Sequence, residues 1–241
     1  MLVDEQAMQL IQPPQGYPFN SAWEGILVDD LDHANDIVRR AREVLELIWK
    51  DRADAIEKEA CEILGVKELR EYFRKPGKGG FWDDHIARYS KSRRKAPIYW
   101  LLQSSKKSYA IWLYCHRLDK DSLLKVLLYT VEPKVKNADR ELTDLRTRRA
   151  TATGKDIKAL DRQIEKQDAL VTELRDFEDK LRKVTDLNLT PDLNDGVVLT
   201  IAPLRELVPW KDAKAYWDEL MAGEYAWSSI GKQLREKGLV K

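Results

Sequence analysis

Two cysteines and three histidines are all that 241 residues provide of the usual thiolate and imidazole metal ligands. Cys61 and Cys115 make neither a framework of paired spacings nor a CxxC pair, which excludes a disulfide scaffold and a zinc-finger-type site. Two buried thiols in a reducing compartment are expected instead. His33, His85 and His116 lie far apart, and no HExxH occurs. Long apolar runs are also lacking. No window approaches 18 uninterrupted apolar residues, so no segment reads as a transmembrane helix and no membrane partner is expected. The opening Met1-Leu2-Val3-Asp4-Glu5 has neither the basic start nor the apolar stretch of a secretory signal, and a cytoplasmic location is expected. There is little net charge: 42 Lys and Arg against 41 Asp and Glu, formally +1. That balance excludes a polybasic tail or an acidic mimic as the main theme.

What is present is a chain that is 43% hydrophobic and 34% charged, enough for a core carrying long, solvated helices. The near-neutral total conceals an uneven layout. Residues 1–66 carry 6 basic and 14 acidic side chains, net −8; residues 67–117 carry 13 basic and 4 acidic, net +9; the remainder is balanced. A basic block of this kind either steers an anionic polymer or folds back on the acidic first segment.

The periodicity predicts an α+β, mainly α, molecule in three parts: 1–118, 119–186 and 187–241. Pro13-Pro14, Gly16 and Pro18 make residues 1–30 irregular. A helix is expected from Asp32 to Leu64, capped by Asp32 or Asp36 and stopped by Gly65. A short one follows over Lys67–Arg74. The period then changes. Ile98–Leu102 and Tyr109–Tyr114 are rich in β-branched and aromatic residues and flank the polar turn 103–108, the one strong β-hairpin signal. Gly196–Ile201 is the expected third strand. Residues 119–150 and 155–186 carry alternating three- and four-residue apolar spacings, through Leu124, Leu128, Val131, Val135, Ala138, Leu142 and Leu145, and through Ile157, Leu160, Ile164, Gln167, Val171, Leu174, Glu178 and Leu181. They predict a projecting antiparallel coiled-coil hairpin, about 30–45 Å long at 1.5 Å per residue; pairing with a second chain is the alternative. Pro133 is expected to kink the first stretch or delay its start. Short helices are expected over 210–222 and 224–237, with the last segment packing back on the first.

Motifs for chemistry are weak. No GxGxxG or GxxxxGK[ST] occurs, and Pro76-Gly77-Lys78-Gly79-Gly80 lacks the spacing and hydroxyl of a phosphate cradle. Asp83-Asp84-His85 reads as a surface turn or helix start rather than a metal site. Asp192 and Asp195 form one acidic loop without the Glu-x-Lys of a nuclease. No catalytic residue, metal or cofactor is assigned. The basic run Arg88-Tyr89-Ser90-Lys91-Ser92-Arg93-Arg94-Lys95, with Lys106 and Lys107 at the hairpin tip, is different. Arg and Lys neutralise phosphates and Ser hydroxyls donate to them. Arg88, Lys91, Arg93, Arg94, Lys95, Lys106 and Lys107 are the expected phosphate contacts on duplex DNA, assisted by Ser90 and Ser92.

Four stretches also carry a resemblance: Tyr72–Trp100, Tyr109–Leu118, Val131-Glu132-Pro133-Lys134 and Pro191-Asp192-Leu193-Asn194-Asp195-Gly196-Val197. Together, over roughly residues 26–230, they resemble the C-terminal region of large adenine-specific DNA methyltransferases of bacterial phage-defence systems, the BREX-type PglX enzymes and the related DISARM and restriction–modification methylases. The resemblance implies an upstream catalytic domain that uses S-adenosylmethionine and an [Asn/Asp/Ser]-Pro-Pro-[aromatic] motif. Here the only Pro-Pro is Pro13-Pro14, with Gln12 where the motif's Asn should stand and Gln15 in place of the aromatic. The expectation is therefore a module that is not an enzyme by itself. It would contribute DNA recognition or docking beside a methyltransferase catalytic half or another defence-system subunit. The alternative is a protein-interaction scaffold that docks a partner through the coiled-coil hairpin.

Overall fold

The sheet forms where β-branched and aromatic side chains concentrate. In the computed structural model, which describes residues 15–19, 23–75, 77–89 and 97–240, strands β1 (Ile26–Val28), β2 (Tyr99–Gln103) and β3 (Ala110–Tyr114) form one antiparallel sheet in the order β1-β3-β2. The predicted hairpin is β2–β3, with Tyr99 opposite Tyr114 and Gln103 opposite Ala110. β3 is central, and its Ile111, Trp112 and Leu113 are fully buried.

The third strand is not the expected one. Residues Val197–Ile201 are helical, and β1 takes the place beside β3, pairing Ile26 with Leu113. Only glycine can make the entry to β1. Gly25 has φ 81°, and a Cβ there would lie 2.6 Å from the Cβ of Arg117.

The long first helix expected over Asp32–Leu64 is broken into α1 (Ile37–Trp49) and α2 (Ala53–Leu64), separated by a 3₁₀ turn at Lys50–Arg52. Lys50 sits at φ 53°, outside the helical region. The break folds α2 back on α1, where Glu57 accepts two 2.7 Å hydrogen bonds from the Arg42 guanidinium. Asp36 caps α1 by accepting from the Arg39 N–H, and Gly65 ends α2 at φ 65° as expected. Next come α3 (Leu69–Arg74) and α4 (Phe81–Tyr89).

After the sheet, α5 (Ser122–Val126) runs into a π-helical turn, Leu127–Val131, and then α6 (Glu132–Thr151). The wide turn lies immediately before Pro133, which has no N–H to give the carbonyl four residues back. It also rotates the expected seam. Leu124 and Leu128 are 42% and 40% exposed, whereas Val131, Val135, Ala138, Leu142 and Leu145 are buried. The 32-residue α7 (Lys155–Asp186) returns antiparallel to α6. Arg146–Asp168, Arg149–Asp161, Arg175–Asp139 and Arg182–Glu132 ion pairs cross between them. The polar seam residue Gln167 donates to the Ala138 carbonyl.

The chain closes with α8 (Val197–Ile201), α9 (Lys211–Met221) and α10 (Ser229–Glu236). The main core joins the sheet to α6, to the base of α7 and to residues 201–213, and a smaller cluster lies among α8, α9 and α10. The last segment reaches the sheet directly: the Gln103 N–H donates to the Leu207 carbonyl. Both cysteines are buried free thiols, and burial pushes Cys115 up to about 11. Among the described residues no helix is long and apolar enough to cross a membrane.

Candidate nucleic-acid interface

Of the residues named for phosphate contact, Arg88, Lys106 and Lys107 are described. Ser90, Lys91, Ser92, Arg93, Arg94 and Lys95 lie outside the described residues. Arg88 is exposed in the last turn of α4, where a cation complements the carbonyl end of the helix. Lys106 and Lys107 are exposed in the β2–β3 turn. Among the described residues none of the three has an ion-pair partner.

The two groups sit at opposite ends of the hairpin. The Tyr99 N–H donates to His85 Nε2 over 3.2 Å, which ties α4 to the open end. The lysines are at the closed end, beyond a strand of about 13 Å at 3.3 Å per residue. His85 is therefore structural. Its Nδ1 faces the Trp82 carbonyl at 3.0 Å, so the neutral ring donates from Nδ1 and accepts at Nε2. Burial lowers its pKa and keeps it neutral.

The closed end is held by a residue that sequence reasoning missed. Buried Glu173 of α7 accepts from the Ser104 Oγ–H and from the backbone N–H groups of Lys106 and Ser108, the latter two at 2.8 and 3.2 Å. Burial opposes its charge, but these donors prevail and hold the carboxyl below its ordinary value. Lys107 is left in the left-handed region, φ 64°. Glu173 adjoins the seam residue Leu174 and looks like an ordinary solvated helix position. Nothing in the local pattern marks it.

The basic block also has an inward part. Arg70, on α3, donates to Asp36 through both terminal nitrogens at 2.9 Å and also to Asp29. Arg74 clamps the other side of Asp29. Asp29, Asp36 and Arg70 are all buried. Burial alone would lower the Arg70 pKa, but the hydrogen bonds to Asp36 and Asp29 outweigh it and raise it. Part of the positive block therefore does fold onto the acidic first segment, while Arg88, Lys106 and Lys107 stay outside.

Residues of the remaining acidic motifs accept hydrogen bonds from within the chain. Asp192 accepts from the Asn194 N–H, and buried Asp195 accepts from the N–H groups of Ser229 and Ile230 at the start of α10. Asp84 accepts from the Tyr72 hydroxyl. Among the described residues no group of three or more His, Cys, Asp or Glu side chains is placed to hold a metal.

Comparison with known proteins places the chain among sequences similar to adenine-specific methyltransferases. It is 26% identical over 200 residues to the adenine-specific methyltransferase BrxX of Escherichia coli O9:H4 (strain HS), covering 78% of this chain. It is 25% identical over 198 residues to the adenine-specific methyltransferase PglX of Lacticaseibacillus casei (strain Zhang), covering 73% of this chain. The matched regions span only 16% and 15% of those proteins. No protein-family model matches the chain.

Proposed function

We propose that this chain is a non-catalytic DNA-recognition and docking module of an adenine-specific DNA methyltransferase in a bacterial phage-defence or restriction–modification system. It would act in the cytoplasm beside a separate catalytic half or another defence subunit, without a cofactor of its own. The observation that carries the reading is the division of the basic block. Arg70 and Arg74 are compensated by Asp29 and Asp36, whereas Lys106 and Lys107 face solvent on a ribbon fixed at both ends and Arg88 faces solvent on the helix tied to its open end. Cations held on a rigid ribbon suit a phosphate backbone. The similarity to adenine-specific methyltransferases supports it. In this reading residues 1–118 and 187–241 form the DNA-facing body, and 119–186 form an antiparallel coiled-coil arm.

A scaffold role is the second reading. It is favoured by Leu124, Leu128 and Tyr129, which stay 42%, 40% and 73% exposed at the base of the arm.

The test is a gel-shift titration of duplex DNA at low and moderate salt, run beside a thermal melt. Replacing Arg93, Arg94 and Lys95 with Glu is expected to weaken binding to all sequences alike with the melt unchanged. Replacing Lys106 and Lys107 with Ala is expected to make the salt dependence of log affinity shallower by about 0.9 per lost contact. No wild-type shift at about 50 mM salt overturns the DNA reading and favours the scaffold.

A further inference from the structure

A cleft of about 700 Å³ opens beside α4. Tyr72, Phe81, His85, Tyr89 and Tyr99 form an aromatic wall along it, with Arg88 and Asp84 on its rim. The rings make a continuous set. Phe81 stacks on His85 at 5.6 Å and 21°, and His85 meets Tyr89 and Tyr99 edge-on at 6.1 and 6.2 Å. Phe81 also packs on the buried Trp112 of the central strand at 4.9 Å, which anchors the wall in the core. The wall is rigid for a second reason: both nitrogens of His85 are engaged. Tyr89 differs from the rest. It ends α4 and is 45% exposed, so a large part of its surface is uncovered.

A preformed cleft with π surfaces, an exposed guanidinium and a carboxylate has a specific complement: a flat heteroaromatic ring attached to an anion. We infer that this cleft receives an unstacked nucleobase of a DNA strand, stacked against Tyr89 and the aromatic wall, with Arg88 meeting the adjoining phosphate. Base–aromatic stacking tolerates any base, and a positive rim tracks the backbone. Asp84 accepts from Tyr72 at 3.1 Å and has acceptor capacity left for an exocyclic amine. The inference rests on the DNA reading above and adds the part of the polymer that the module holds.

The experiment uses the full chain and a short single strand carrying a fluorescent adenine analogue that is quenched on stacking, beside a matched abasic strand and a plain duplex. Wild type is expected to quench the analogue and to bind the base-bearing strand more tightly than the abasic one. Tyr89→Leu is expected to lose the quenching and about tenfold or more in affinity, within the range stacking supplies. Tyr89→Phe, which keeps the ring, is expected to restore both. The abasic strand is expected to bind wild type and Tyr89→Leu alike, and a thermal melt verifies folding. Equal wild-type affinity for base-bearing and abasic strands overturns the cleft, a result that needs no variant. So does unchanged quenching in a folded Tyr89→Leu protein. If the duplex is still shifted in either case, the cleft fails and the phosphate reading stands. If wild type binds neither strand nor duplex, both fail.

Discussion

At the scale of single residues, two buried carboxylate centres hold what the basic surface needs. Asp29 and Asp36 take up Arg70 and Arg74, and Glu173 takes up the hairpin turn. Removing one partner of a buried ion pair leaves an uncompensated charge, the costly direction of such a change. Glu173 gives a pH test. Its carboxyl is held below its ordinary value of 4.5 in the fold. Its stabilising contribution is therefore complete above the unfolded value and is lost as the pH falls through the folded one. Glu173→Gln is expected to cost about 1.5–3 kcal/mol at pH 7, the range for hydrogen bonds to a charged group. That difference is expected to shrink as the pH drops below 4.5. Denaturant melts of both proteins across that range check it, and a constant difference refutes it. The charge layout allowed the basic block to fold back on the acidic first segment, but it did not say which residues pair, and it gave no sign of Glu173. Asp29, Asp36 and Arg70 are separated by up to 41 residues, and Glu173 by 65 to 69 from its partners. A local pattern does not specify pairings over such separations.

At the scale of elements, most helices and the hairpin fall where their patterns put them, but the break within Asp32–Leu64 and the third strand do not. The β2–β3 hairpin follows from two aromatic and β-branched runs, and the 155–186 helix from its seam. Val197–Ile201 has strand-like composition yet folds as a helix. Gly196 enters at φ 85°, the Thr200 hydroxyl donates to the Gly196 carbonyl, Leu199 is buried among the C-terminal elements and Ile201 in the main core. The sheet edge it would have joined is occupied by β1, three residues too short to show a period. The exposed cations Arg88, Lys106 and Lys107 were legible as charge, but the aromatic cleft was not, because its rings are brought together from three elements, Tyr72 from α3, Phe81 and Tyr89 from α4 and Tyr99 from β2. The seam itself can be weighed. Leu174 is fully buried, so Leu174→Ala is expected to cost about 2–5 kcal/mol, read as a shifted denaturant midpoint with the slope unchanged.

At the scale of the whole molecule, the core divides the arm from the body. Leu142, Val171 and Leu174 belong to the main core, whereas Leu145 and Leu160, although buried, do not. Replacing residues 145–170 with a short linker is therefore expected to leave one cooperative thermal melt. A broad or absent transition in the shortened protein would show that the distal arm is needed for the body to fold. The near-zero net charge has a similar internal logic, since the acidic first segment absorbs part of the basic block and leaves the rest for the surface. The clasp of Glu173 on the turn also sets an order in time. Translation makes the two strands and their lysines first, and the carboxylate that closes on Ser104, Lys106 and Ser108 emerges 65 to 69 residues later. Until then those turn amides have only water to bind. A nascent or truncated chain that ends before Glu173 presents the same lysines on an unfastened ribbon, so the positive edge acquires its fixed shape only after the returning helix has been made.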